Sequence, residues 1–333
     1  MNINYRASII IPTYNSQKTI EVCLNNIIEE SKKLESEIIV IDDNSSDQTI
    51  EIVEKFKTIK LVKLDNNKGV GNARNAGSRI AKHEILCFID SDLVITNNSI
   101  ANLINKLNQN SNIGSVSAIQ EMINLNNKDW SSNFVCLKSC YGFENIEKET
   151  EFSVCTSEFC VITKRTLHQV GGWKPFRNAG GEEFDLGYKI NQLNKKNYKI
   201  IDASYKTSYV DLYTRFKKII DRTEKYIHIF FKKKRFDTKG SFATFNQFFS
   251  SLLTFIIIVL ILSNFILDRS LLIVGILALF IAQIVVEFNF LIFAKKHYGL
   301  KMIFFSLFGI QVINLGIIFG AVYFIFKKVI LIR

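Results

Sequence analysis

Twice in the first hundred residues an apolar run of strand length stops abruptly at carboxylates. One run is Ile38-Ile39-Val40-Ile41, which ends in Asp42-Asp43 and continues as Asn44-Ser45-Ser46-Asp47. The other is Ile85-Leu86-Cys87-Phe88-Ile89, which ends in Asp90-Ser91-Asp92. In an open α/β sheet, ligands bind just beyond the carboxyl ends of the strands. Acids delivered there can hold a nucleotide base, its ribose and a divalent cation. The Asp90-Ser91-Asp92 spacing suits a hard metal, because Mg²⁺ and Mn²⁺ prefer oxygen ligands.

The surrounding pattern supports such a sheet. Strand patterns at Ser8–Ile11, Glu37–Ile41, Ile59–Leu64, Glu84–Ile89 and Ile113–Ile119 alternate with helical patterns at Gln17–Lys33, Gln48–Phe56, Gly69–Ala81 and Asn98–Asn108. Ile20, Cys23, Leu24, Ile27 and Ile28 mark the buried face of the first helix. A βαβα rhythm of this kind predicts a mostly parallel sheet with right-handed crossovers. Residues 120–152 are polar and without clear periodicity, as in an insertion or a loop over the site. Phe159–Thr163 reads as a strand. A Gly171-Gly172-Trp173 turn follows, then a helix opening at Gly180-Gly181-Glu182-Glu183-Phe184-Asp185, and Tyr198–Asp202 as a last short strand.

The last third of the chain has a different character. Phe248–Leu267, Ser270–Ala294 and Met302–Phe326 are each long enough to cross about 30 Å of hydrocarbon. Just before them, Leu212–Lys234 carries an apolar stripe (Leu212, Phe216, Ile219, Ile220, Thr223, Ile227, Phe230) opposite Arg215, Lys217, Lys218, Arg222 and Lys225. That pattern predicts a helix lying in the interface of an anionic leaflet, with packing on the soluble domain as the alternative. Three domains are therefore expected: 1–210, α/β; 211–240, a basic amphipathic helix and linker; and 241–333, a membrane domain with three spans at 248–267, 270–294 and 302–326. Glu287 falls inside the second span. An intramembrane carboxylate is a functional candidate, although reach to the interface or a pair with Lys295 explains it more simply.

Charge and cysteine content narrow the class. The net charge is +11, and its densest stretch, Arg215 to Lys239, abuts the first apolar segment. This placement favours the membrane surface and argues against nucleic acid as a partner. No signal-peptide pattern precedes the first strand, so the N-terminal domain is expected in the cytoplasm, attached to a multi-pass membrane region. With the basic stretch inside, the connection carrying Lys295, Lys296 and Lys301 also falls inside. The six cysteines match no zinc spacing and the four histidines form no ligand cluster.

Four ordered motifs complete the reading: Ser8 through Asn15, Val40 through Asp47, Gly69 through Gly77, and Asp90-Ser91-Asp92. Together they resemble the nucleotide-sugar half of family 2 glycosyltransferases, over residues 8 to about 200. The resemblance implies the GT-A fold, a Rossmann-like mixed sheet, followed here by an all-α transmembrane region. It implies an inverting, metal-dependent transferase that moves a sugar from a nucleotide-diphosphate sugar, UDP by family prevalence, to a hydroxyl of a membrane-associated, lipid-linked glycan. The alternative is a polyprenyl-phosphate glycosyl synthase, whose acceptor is a lipid phosphate.

The resemblance also implies residue roles. Pro12, Thr13, Tyr14 and Asn15 line the nucleotide pocket, with Tyr14 stacking on the base. Asp43, supported by Asp42, accepts the uracil imide N–H. Arg74 can pair with the diphosphate as a bidentate donor, or it is a surface arginine. Asp92 is the leading ligand for Mg²⁺ or Mn²⁺; Asp90 contacts the ribose or shares the metal, with Ser91 between them. Glu182-Glu183 resembles the family's Glu-Asp pair, so Glu183 is the expected base, with Glu182 and Asp185 as alternatives. Gly181 and Trp173 are placed on the acceptor side; Trp173 either stacks on an acceptor sugar or belongs to the core. No Gln-x-x-Arg-Trp motif follows, which disfavours a processive polysaccharide synthase.

Overall fold

The computed structural model describes residues 5–125, 129–143, 146, 148–176, 180–233, 244–263 and 269–331. Two compact units emerge. One comprises residues 1–123 and 145–208, the other 124–144 and 209–333.

The first unit is built on β1 (Arg6–Thr13), β2 (Glu35–Asp42), β3 (Ile59–Lys63), β4 (Ile85–Ile89), β5 (Leu93–Ile95), β6 (Ile113–Asn124), β7 (Glu149–Phe152), β8 (Phe159–Thr163) and β9 (Lys196–Thr207). The sheet order is β3-β2-β1-β4-β8-β6-β9-β5, with β7 beside β9. The first four strands are parallel, whereas β8 runs antiparallel to both β4 and β6, and β9 antiparallel to β5 and β7. The expectation of a mostly parallel sheet therefore holds only for one half. β9 is also longer than the short strand read from Tyr198–Asp202.

Helices α1 (Ile20–Ser31), α2 (Thr49–Val53), α3 (Val70–Ile80) and α4 (Ser99–Asn108) follow the predicted order. Two apolar clusters cover the two faces of the sheet. Ile9, Ile11, Leu24, Val40 and Leu103 belong to one; Ile10, Ile41, Ala73, Phe88 and Trp173 belong to the other. This alternation along β1 is what period-2 side chains produce in a strand buried on both faces. α3 lies close to the sheet because its inner face is small: a Cβ on Gly77 would come 2.4 Å from Ile10 Cγ2.

The second unit holds α5 (Trp130–Cys140); α6 (Lys164–Gln169) and α7 (Glu182–Gln192) belong to the first. α5 lies in the stretch read as irregular. It escaped detection because it is buried on nearly every side, from Ser132 through Lys138, so no polar stripe alternates with an apolar one. The remaining helices are α8 (Leu212–Lys233), α9 (Phe245–Ser263), α10 (Arg269–Val286), α11 (Phe288–Tyr298) and α12 (Leu300–Leu331). α9 and α12 are long and apolar enough to cross a membrane, and α10 with α11 makes a third candidate bent by 64°. The end of the Arg215–Lys239 basic stretch, from residue 234, and residues 264–268 between the first two expected spans lie outside the described residues.

The apolar face of α8 is covered by α12. Phe216 meets Phe319 edge-on at 6.1 Å, and a Cβ on Gly320 would come 2.6 Å from the Ile220 carbonyl. Gly316 and Gly320 form a small-xxx-small face that lets the two backbones approach. Glu287 sits at the α10–α11 break and pairs with Lys138 of α5 at 3.0 Å, both side chains buried. Its partner is thus Lys138 and not Lys295. The break, the ion pair and α5 coincide, and Lys138 also lies 4.5 Å from the Phe290 ring.

Candidate active site

Parallel pairing of β1, β2 and β4 brings Thr13, Asp42 and the Asp90 turn to one edge of the sheet. Pro12 and Thr13 are in register with Ile41 and Asp42. The loops that follow are laced together. Asn15 and Asn44 take left-handed backbone conformations, with φ of 50° and 66°. Asn15 N–H donates to Ser45 Oγ (2.9 Å), and its Oδ1 accepts from Ser46 N–H (2.8 Å). Ser16 and Ser91 hydroxyls meet at 2.9 Å, tying the first loop to the Asp90 turn. Tyr14 stands beside them half exposed, at 50%, with its ring available for stacking.

Asp42 and Asp43 are both buried. Asp42 Oδ2 accepts from Ser45 N–H, while Oδ1 has no hydrogen-bond partner; neither does the buried Thr13 Oγ1. Asp43 accepts from Lys68 N–H at 3.0 Å and Gly69 N–H at 2.8 Å, one on each carboxylate oxygen. Gly69, at φ 89°, starts α3 from that contact. Asp43 thereby fixes the glycine-rich turn, a task that sequence reasoning did not assign to it.

Arg74 departs from expectation. It was read as presenting its guanidinium to a diphosphate, or as a surface residue. It is 1% exposed. Nη2 donates to Asp90 Oδ1 at 2.6 Å, Nη1 lies 3.5 Å from Glu182 Oε1, and the guanidinium stands 4.9 Å from the Trp173 ring centroid. Arg74 therefore joins the β4 edge to the start of α7. Its Nε and Nη1 have no hydrogen bond.

Asp90 retains a side-chain exposure of 26%. Burial pushes its carboxyl up to about 7; Arg74 opposes this, and the Asp92 and Glu158 charges add to it. Asp92 is exposed. Among the described residues no group of three or more His, Cys, Asp or Glu is arranged to hold a metal ion. Asp90 and Asp92 supply an oxygen-only pair, a donor set that suits a hard cation whose remaining ligands come from a diphosphate and water.

The Trp173 alternatives resolve in favour of the core. Its ring is 1% exposed and meets Phe88 edge-on at 5.3 Å. Asn75 clamps its backbone, accepting from Trp173 N–H at 2.9 Å and donating to its carbonyl at 2.7 Å. A ring so enclosed offers no face to an acceptor sugar, which corrects its placement there. Gly181, at φ 95°, caps α7. Glu182 is buried and accepts from Gly180 N–H at 2.7 Å; Asp185 is buried and pairs with Lys189 at 2.7 Å. Glu183 is only partly buried. All three acids occupy the first turn of α7, where the helix dipole favours negative charge. Of the three, Glu183 is the one not enclosed.

Sequence reasoning missed Glu158. Asp90 N–H donates to its carbonyl at 2.8 Å, and its Oε2 accepts from Tyr205 OH at 2.5 Å. Only the antiparallel pairing of β8 with β4 reveals it.

Known proteins resemble the part of the chain that builds this edge. Residues 8–171 match the model for glycosyl transferase family 2. Those residues form a glycosyl transferase family 2 domain. A poly(ribitol-phosphate) beta-N-acetylglucosaminyltransferase of Staphylococcus aureus is 42% identical over 90 residues, covering 26% of this chain and 16% of that protein. A UDP-Glc:alpha-D-GlcNAc-diphosphoundecaprenol beta-1,3-glucosyltransferase of Escherichia coli is 37% identical over 99 residues, covering 29% of this chain and 39% of that protein. The chain spans between 15% and 51% of the length of the curated relatives it matches. Among solved structures, a mannosyltransferase from Pyrobaculum calidifontis in complex with GDP-Man and Mn²⁺ shares the fold over 98% of this chain and 88% of its own, with a TM-score of 0.60 at 18% identity. GalNAc-T7 with UDP, GalNAc and Mn²⁺ covers 68% of this chain and 48% of its own, with a TM-score of 0.54 at 17% identity. The two structures support the fold; the GT-A expectation holds.

Proposed function

We propose that the chain is a membrane-attached, inverting glycosyltransferase. It moves a sugar from a UDP-sugar to a hydroxyl of a lipid-linked glycan, with its catalytic domain on the cytoplasmic side. The observation that carries this reading is the buried Arg74, which joins the Asp90 edge of the sheet to the acidic first turn of α7. That link supports one site shared by the donor carboxylates and the candidate base on the turn next to Glu182. The names of the two relatives support glycan or lipid-diphosphate acceptors, and helices long and apolar enough to cross a membrane suit an acceptor that is itself membrane-bound.

The residues act as follows. Tyr14 stacks on the base, and Asp42 and Asp43 shape the pocket behind it. Glu183 takes the proton of the acceptor hydroxyl as that oxygen attacks C1 in line, which inverts the anomeric centre. Glu182, bound to Gly180 and Arg74, positions this turn without moving a proton. Asp90 and Asp92 fit a Mg²⁺ or Mn²⁺ ion, which when bound neutralises charge on the leaving nucleotide diphosphate.

A panel of nucleotide sugars offered with MnCl₂ to the detergent-solubilised chain, with nucleotide diphosphate release as readout, tests the reading. Glu183→Gln should lower turnover by on the order of 10²- to 10⁴-fold. Turnover surviving that change would point to an acceptor that needs no base, a lipid phosphate, as a polyprenyl-phosphate glycosyl synthase uses. No release from any donor would remove the proposal.

A further inference from the structure

The β4 edge carries a third carboxylate that the roles above leave unused. One step beyond the β4–β8 ladder, which ends at Ile89 opposite Phe159, Asp90 N–H donates to the Glu158 carbonyl at 2.8 Å. The two backbones are thus adjacent at the end of the ladder, and the Glu158 charge is one of those felt by the Asp90 carboxyl. Its orientation is fixed from the far side: Tyr205, itself 1% exposed, donates its phenol to Oε2 at 2.5 Å. The Tyr205 ring is held in turn against Phe159, edge-on at 6.4 Å.

Among the described residues no cation pairs with this carboxylate. Arg74, the cation of the edge, is given to Asp90 and Glu182. A partly buried carboxylate, oriented by a phenol and unpaired with any cation, is suited to accept hydrogen bonds from hydroxyl groups. A nucleotide sugar whose diphosphate lies at Asp90 and Asp92 brings such hydroxyls with it.

We infer that Glu158, oriented by Tyr205, accepts a hydroxyl of the transferred sugar and so selects among donors. Glu158 is the contacting residue and Tyr205 the positioning residue. The inference rests on the function proposed above.

The test separates the two. UDP, UDP-glucose, UDP-galactose and UDP-N-acetylglucosamine are titrated calorimetrically, with MnCl₂, into the full solubilised chain and into Glu158→Gln and Tyr205→Phe. UDP should bind all three proteins within twofold. The preferred UDP-sugar should lose roughly tenfold in affinity in Glu158→Gln, and roughly threefold in Tyr205→Phe, with the spread among sugars narrowing. An unchanged preference in both variants overturns the inference alone. Equal losses for UDP and UDP-sugar also overturn it, because they place Glu158 in support of Asp90. If the unaltered chain retains neither UDP nor any UDP-sugar, the proposed function falls and takes this inference with it.

Discussion

Two buried polar clusters, one in each unit, differ in composition. The one around Arg74 centres on charged groups. Asp42 Oδ1, Thr13 Oγ1, Arg74 Nε and Nη1, and Trp173 Nε1 have no hydrogen-bond partner among the described residues. Among α9, α10 and α12 the cluster is made of neutral amides and hydroxyls that bond to one another, with Gln247 Oε1 and Ser306 Oγ left over. Asn314 donates to Ser250 and Thr254 and accepts from Gln247; Gln283 donates to Thr254 and accepts from Gln311. A buried donor or acceptor without a partner costs about 1–3 kcal/mol. The bonded network among α9, α10 and α12 ties those three helices together, as packing and interhelical hydrogen bonds do between apolar helices.

Changes at Arg74 should break this comparison most severely. Arg74→Met leaves buried Glu182 and part-buried Asp90 without their cation, and a loss of about 3 kcal/mol is expected in chemical denaturation, together with loss of nucleotide binding. Lys138→Met should cost the second unit a similar amount, by stranding Glu287. The double change Lys138→Met with Glu287→Leu should recover most of it, because an apolar pair replaces a buried ion pair at little cost. If the double variant is no better than the single, Glu287 has a use beyond pairing.

Smaller effects sharpen the contrast. Asn314→Leu removes the hub of the neutral layer and should lower the melting free energy in detergent by about 1–2 kcal/mol, with nucleotide binding unchanged. Gly320→Ala forces a Cβ to within 2.6 Å of the Ile220 carbonyl and should cost about 1–3 kcal/mol through overpacking. The smallest is a pH effect at Glu37. Burial pushes its carboxyl up, but hydrogen bonds from Ser8 and from Lys82 N–H, with the Lys82 and His83 charges, outweigh it and hold the carboxyl below its ordinary value. Its stabilising contribution is present above the ordinary carboxylate range and fades as pH falls through the lowered one. Glu37→Gln should flatten that acid limb by under about 1 kcal/mol.

Much of the candidate edge was legible because strands ending in acids leave an apolar run followed by a polar stop. The α7 turn was legible for a similar reason, with paired glycines ahead of three acids. What the sequence hid were properties of pairing. Nothing local marks β8 as antiparallel to β4, so Glu158 was invisible beside Asp90. Arg74 looked exposed because an arginine usually is; Ala73 and Gly77 let α3 lie close on the sheet, and Gly71 lets the Lys174 backbone approach its other side. Trp173 could not be assigned until Phe88 and Asn75 were seen around it. α5 was missed for want of a polar face, and with it the partner of Glu287.

The account depends most on the unsatisfied edge being a nucleotide site. Calorimetric titration of UDP with MnCl₂ into the full chain, Asp92→Asn and Asn314→Leu addresses it directly. Binding should be present in the unaltered chain, at least tenfold weaker in Asp92→Asn, and intact in Asn314→Leu. Equal binding to all three, or none to any, would contradict it.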